Sequence, residues 1–320
     1  MTEPPSLQRI YRDDVARVFD RMHVQYGVCF DFPVGVALDD RDELAWEWFS
    51  HVDYDGMRMV DHVVRRHGSE VVLPRLKIRP DRRATFSEHL RPVFRKSYLR
   101  KAPASPWDRP KREPTPTTAP HLPDKLLLLT EDESRQVERV ARSHDVSVNS
   151  FVLWSLAEAT RAYATRPNDR QHWTIPVNMR GGAGIDRDAA NPLSFIRIPI
   201  WPGDTPQIVH ARLYDLLETG MHWVMLGWIR FFANRRRAKF PPVRSTGVFS
   251  NIGVYRVPSI ARLVVCPPTG PTEPIAAAII TWNGRMSLAL SVHHTMNPPR
   301  EALDAVEHRW RTAILTGSVT

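Results

Sequence analysis

The sequence predicts a mixed α/β fold, in α+β layers and organised as two halves. Three observations carry that expectation. Apolar residues recur at helical spacing in some segments and alternate with polar ones in others, and the two kinds of segment are interspersed along all 320 residues. A 42% hydrophobic and 25% charged composition is that of a chain able to bury a core. Residues 103–123, "PASPWDRPKREPTPTTAPHLP", hold seven prolines and no hydrophobic period. Such a segment reads as an extended linker, dividing residues 1–102 from residues 124–320.

The elements follow in order. "SLQRIYRDDVARVFDRM" places Leu7, Ile10, Val15, Val18 and Met22 at roughly helical spacing. "YGVCFDFPVGVAL" and "ELAWEWFSHV" alternate and are rich in aromatic and β-branched residues, so they read as strands with "DDRD" as the turn between them. "MRMVDHVVRRHG" puts Met59, Val60, Val63 and Val64 on one helical face and stops at Gly68. After the linker, "KLLLL" is a short apolar strand, and Thr130 with Glu133 has capping-box spacing at the head of a helix. "SVNSFVLWSLAEATRAY" reads as a buried helix. "HWTIPVNMR" and "LSFIRIPI" read as strands flanking the glycine-rich "GGAGIDRDAANP", and "TPQIVHARLYDLLETG" as an amphipathic helix. "STGVFSNIG", "IARLVVCPP", "PIAAAIITW" and "GRMSLALSV" are strand-like, and "PPREALDAVEHRWRTAIL" is a closing helix with proline at its first turn.

The formal charge of +9 comes from arginine, since only six of the 44 basic residues are lysine. An arginine excess suits nucleic acid, anionic lipid or a phosphate-bearing substrate, or reflects codon usage alone. No nucleic-acid recognition motif accompanies it, so no nucleic-acid partner is expected. The basic runs at 95–101, 111–112 and 234–239 read as phosphate contacts or as solvated faces. "MHWVMLGWIRFFANRRRAKF" (221–240) reads as a buried helix with a basic end, or as an interfacial helix making a peripheral membrane contact. No apolar run approaches a ~20-residue span, and the opening residues lack a signal-peptide pattern. Two cysteines, Cys29 and Cys266, form neither a disulfide framework nor a CxxC pair, which fits the cytoplasm, and the scattered histidines suggest no metal site.

Chemistry concentrates in "FSHVDYDG", where His51, Asp55 and Gly56 fall between a strand and a helix. Taken alone, Asp55 and Gly56 start a helix and His51 packs at a strand end, or the three form an active site. "SHVDYDG" resembles the HHxxxDG signature of the chloramphenicol acetyltransferase-like superfamily, which includes nonribosomal-peptide condensation domains and bacterial wax ester synthase/diacylglycerol acyltransferases. Ser50 stands at the first histidine of that signature and His51 at the second. "DVSVNSFVLWSLAEA", "IPVNMR", "NPLSFIRIPI" and "FSNIG" resemble further segments of the same superfamily in the same order, so the likeness spans residues 46–315.

The resemblance implies a two-lobed sandwich with its active site between the halves, and acyl transfer from a thioester to a hydroxyl or amine. It implies His51 as general base, Asp55 paired with Arg180 of "PVNMR" to hold the loop, and Gly56 in a tight turn. Ser250 and Asn251 of "FSNIG" are candidates for oxyanion or thioester contacts, or simply form a strand-end turn. "VHHTMNPP" looks like a degenerate second copy of the motif and makes His294 the alternative base. No bound cofactor is implied. The co-substrate is acyl-CoA or a phosphopantetheine thioester on an acyl carrier protein, and the acceptor is a small molecule. Only fifty residues precede the motif, fewer than is usual, so the first half reads as shortened, and the substrate tunnel that the resemblance implies is either more open or completed by another subunit of a homo-oligomer. A free-standing, amide-forming condensation protein and a noncatalytic acyl- or carrier-binding protein are the competing expectations.

Overall fold

The computed structural model describes residues 31–38, 43–51, 53–80, 85, 87, 122–164, 166–186, 192–234, 245–270, 273–293, 296 and 298–318. The expected first helix, nearly all of the proline-rich segment, His294 and the basic runs at 95–101, 111–112 and 235–239 lie outside these residues.

Six strands build the main sheet, in the order β3 (Lys125–Leu128), β9 (Arg285–Val292), β8 (Ile275–Trp282), β6 (Gly247–Tyr255), β4 (Gln171–Asn178) and β5 (Leu193–Ile200). Strand alternation divides its two faces. Trp173, Ile175, Ile196, Ile198, Phe249, Ile275, Leu288 and Leu290 point to one side and form the larger core. On that side lie α2 (Glu131–Ser143), α3 (Val148–Arg161), α4 (Pro206–Glu218), α5 (Met221–Asn234) and α6 (Arg300–Thr316).

Local signals account for these helices. Thr130 and Glu133 close a reciprocal capping box on α2, Ser147 caps α3 and Thr205 caps α4 ahead of Pro206. The first turns of α5 are core, with Met221, Trp223, Val224 and Leu226 all buried, so this part of 221–240 follows the buried reading. No described helix is long and apolar enough to cross a membrane.

The opposite face of the main sheet meets a second, three-stranded sheet in the order β2 (Ala45–Ser50), β1 (Asp31–Ala37), β7 (Arg262–Val265). Here β7, from the second half of the chain, pairs antiparallel with β1 and completes the sheet begun by the first half. A second core fills the space between the sheets. It joins Phe32, Val34 and Val36 of β1 and Met59, Val60, Val63 and Val64 of α1 (Gly56–Arg66) to Ile252, Ile280 and Trp282. Helix α1 is thus clamped between residues more than two hundred positions apart.

The main sheet forks where this helix enters. Strands β4 and β6 run parallel but pair only at Trp173–Gly247 and Thr174–Val248, after which they separate. Strand β6 continues beside β8 through a bulge at Asn251–Gly253. The expected strand end at "FSNIG" is therefore mid-strand. Gly253, at φ +118°, absorbs the irregularity and the strand runs on to Tyr255.

Candidate active site

The turn after β2 is built by one carbonyl. Ser50 O accepts from the N–H groups of both Asp53 (3.1 Å) and Tyr54 (3.0 Å), which folds residues 50–54 back on themselves. The same fold brings His51 Nδ1 to 2.8 Å from Tyr54 O. A carbonyl oxygen can only accept, so Nδ1 carries the proton and Nε2 carries the lone pair. The edge of the half-buried ring meets Phe32, with centroids 5.0 Å apart at 75°. Burial pushes the His51 pKa below its ordinary value, against smaller opposing effects from the Tyr54 carbonyl and from Asp55. Neutral imidazole is therefore the form at pH 7.

Asp55 faces away from this ring. Its Oδ2 accepts from Arg180 Nη1 at 2.6 Å and its Oδ1 from Arg180 Nη2 at 2.8 Å, a two-pronged pair that is wholly buried. Asp55 Oδ1 also caps α1 through the Arg58 N–H at 2.9 Å. Arg180 is held in turn. Its Nη1 and backbone N–H both donate to Asn178 Oδ1, Asn178 Nδ2 donates to Pro74 O, and the carbonyl of Arg180 accepts from the Leu76 N–H. One carboxylate therefore ties together the His51 turn, the first turn of α1, the end of β4 and the strap at 74–76.

Gly56 meets the other arm of the fork. A Cβ on it would stand 2.6 Å from Ile252 Cδ1 in β6, so the missing side chain sets how deeply α1 enters. Gly56→Ala is expected to destabilise the protein by about 1–3 kcal/mol through overpacking. In an Ile252→Val background, which removes the obstructing methyl, most of that loss should vanish. Urea denaturation of the four variants checks this, and equal losses in both backgrounds would rule out the contact.

Ser250 is half-buried and pairs with Ala278 on the face turned towards the second sheet. Asn251 is exposed, and its Oδ1 accepts from the Gly253 N–H at 3.0 Å, serving the bulge. Within the second motif copy, His293 is buried and its backbone N–H donates to Pro274 O. Three contributors escaped the motif reading: the Tyr54 carbonyl, the Asn178 bridge and Ile252. Asn178 had a signal, being two residues before Arg180 in "PVNMR". The other two act through a backbone oxygen and a packing distance, for which residue type carries no signal.

No family model matches this chain, and no curated protein matches it either. Solved structures do. The epimerization domain from the third module of tyrocidine synthetase B superposes with a TM-score of 0.54 at 13% identity, over 84% of this chain and 67% of that one. The first condensation domain of the CDA synthetase gives 0.54 at 13% identity, over 85% and 62%. This is a chloramphenicol acetyltransferase-like fold. The trichothecene 15-O-acetyltransferase from Fusarium sporotrichioides also shares it, with a TM-score of 0.53 at 13% identity, over 83% of this chain and 66% of that one. The chain thus spans about two thirds of the length of these relatives by structure.

Two further histidines lie in the interior of this fold. Burial pushes His172 down to about 3 and His222 down to about 4, with Arg170 and Arg197 adding to the first shift and Arg79 to the second. Above pH ~6.5 both are neutral whether the chain is folded or not. Below it the unfolded chain takes up protons that the folded one refuses, so stability held at neutral pH is lost as the pH falls towards 4. Each histidine should contribute a slope of about 1.4 kcal/mol per pH unit there. Urea midpoints between pH 7 and 4.5 test this, and His172→Leu should flatten the slope by about one histidine's share.

Proposed function

We propose that the protein transfers an acyl group from a thioester, on CoA or on a carrier-protein phosphopantetheine arm, to a hydroxyl or amine acceptor, with His51 as general base. The observation that carries this reading is the state of His51. Its proton is committed to Tyr54 O, its lone pair is on Nε2, and its pKa lies below the usual value, at the turn leading into α1, the helix that enters at the fork of the main sheet. In the reaction Nε2 takes the acceptor's proton as the acceptor oxygen or nitrogen bonds to the thioester carbonyl carbon. The tetrahedral oxyanion then collapses, the C–S bond breaks, and the imidazolium returns its proton to the departing thiolate.

Asp55 has no part in that proton transfer. Both its oxygens are engaged by Arg180 and the helix cap, so Asp55, Gly56 and Arg180 position the turn and leave the chemistry to His51. Ser250, on the face turned towards the second sheet, is the side chain we assign to the developing oxyanion. The measurement that decides the matter is acceptor-dependent release of free thiol from short and long acyl-CoAs, repeated with acyl carrier protein as donor. Release that needs an alcohol or amine supports transfer, and its dependence on donor separates CoA from carrier. No acceptor-dependent release from either donor would refute it.

A further inference from the structure

The face of the main sheet turned away from α2 to α6 changes character across its width. On β8 and β9 it carries Ala276, Ala278, Ala289 and Ser291, small side chains beside the second sheet. On β4 and β5 the same face carries His172, Thr174 and Arg197. The register sets Thr174 opposite Arg197, and His172 lies two residues along on the same side. All three are buried, with 1% of His172 and 8% of Thr174 exposed.

Among the described residues, neither ring nitrogen of His172 has a hydrogen-bond partner, nor has the hydroxyl of Thr174. The main chain beside them is fully served, since His172 N–H donates to Thr246 Oγ1 and His172 O accepts from the Thr246 N–H. Buried polar atoms without partners are rare because water was given up for nothing. Three on one face, within two strand positions, point to a ligand, and an anion would accept from the two donors among them, the hydroxyl and the protonated ring nitrogen. On the same face beside them, Pro176, Phe195 and Val248 are only half-buried. Among the described residues, the charged groups acting on His172 are Arg170 and Arg197, both cationic.

We infer that these side chains bind an anionic group, a carboxylate or phosphate, carried by one of the two substrates of the acyl transfer proposed above, and the inference rests on that reading. The neutral imidazole and the hydroxyl donate hydrogen bonds to the anion, and the two arginines supply the favourable field. Thr174, where the pairing of β4 with β6 ends, lies four positions along the strand from Asn178, or ~13 Å at ~3.3 Å per residue. A purely alkyl ligand would leave the same polar atoms unpartnered and is disfavoured there.

Titration calorimetry of the full chain with 4′-phosphopantetheine, inorganic phosphate and acetate tests the assignment. Thr174→Val keeps the side-chain shape and removes the hydroxyl, and His172→Leu removes the imidazole. Each is expected to weaken the bound probes at least 10-fold. Thr174→Val should also be at least as stable to urea as the parent, because no internal hydrogen bond is lost. Weakened binding of 4′-phosphopantetheine together with phosphate assigns the charge to the thioester donor's arm. Binding of phosphate and acetate without 4′-phosphopantetheine assigns it to the acceptor. A parent that binds none of the three, unchanged binding in both variants, or a Thr174→Val protein destabilised like one that lost a satisfied hydroxyl would each overturn the inference. None of these readings needs turnover, so they stand apart from the thiol-release assay.

Discussion

Asp55→Ala and Arg180→Met are each expected to cost about 3–5 kcal/mol of stability, because each leaves the other partner's charge buried and unpaired. Asp55→Ala loses in addition the cap on α1, worth about 1 kcal/mol. The double variant should be more stable than the sum of the two losses implies, with a coupling of about 0.5–3 kcal/mol, since it leaves no buried charge behind. A double-mutant cycle by urea denaturation measures this directly, and simple additivity would dismiss the pair as an energetic unit. The physical reason to expect coupling is that both side chains are almost completely buried and meet through two short hydrogen bonds. Exposed pairs such as Arg135–Asp132 sit in water and should show little. The same cycle has a positional consequence. Because Arg180 is anchored to Asn178, which holds Pro74, losing either charge should also loosen the turn that carries His51.

The local elements were legible because local chemistry makes them. Alternation marks β1, β2 and β9, a short continuous apolar run marks β8, the Thr130–Glu133 spacing marks the start of α2, and Gly68 marks the end of α1. Non-local geometry was much less so. Nothing in "IARLVVCPP" says that β7 leaves its sequence neighbours to pair with β1, because strand pairing across such a separation is decided by the packing of both lobes. The partnership of Asp55 with Arg180, 125 positions away, could be named only through likeness to a motif, since an arginine after a strand has no preferred partner of its own. His172 shows the opposite failure. The segment reads as a strand, yet no pattern within β4 announces that its second face, where His172 lies, is also buried.

Replacement of His51 by alanine is expected to lower acyl transfer by 10²–10⁴-fold, the usual contribution of a well-placed general base, or about 3–5.5 kcal/mol of barrier. The loss should fall on kcat, because the imidazole acts on a proton that moves only in the transition state. In the parent, the neutral base is the active form and burial lowers its pKa, so activity should be flat above pH ~6.5 and decline only at a midpoint below it. The alanine variant should retain little activity and lose that acid limb altogether. Structure alone is a weaker explanation to eliminate, since the ring also packs on Phe32 and holds the Tyr54 carbonyl. His51→Gln separates the two. It keeps a hydrogen-bond donor in the turn, so it should recover stability lost in His51→Ala, yet it offers no basic nitrogen and should stay slow. If the glutamine variant instead transferred acyl groups at the parent's rate with the same acid limb, the base would lie elsewhere and His51 would be part of the turn's framework alone.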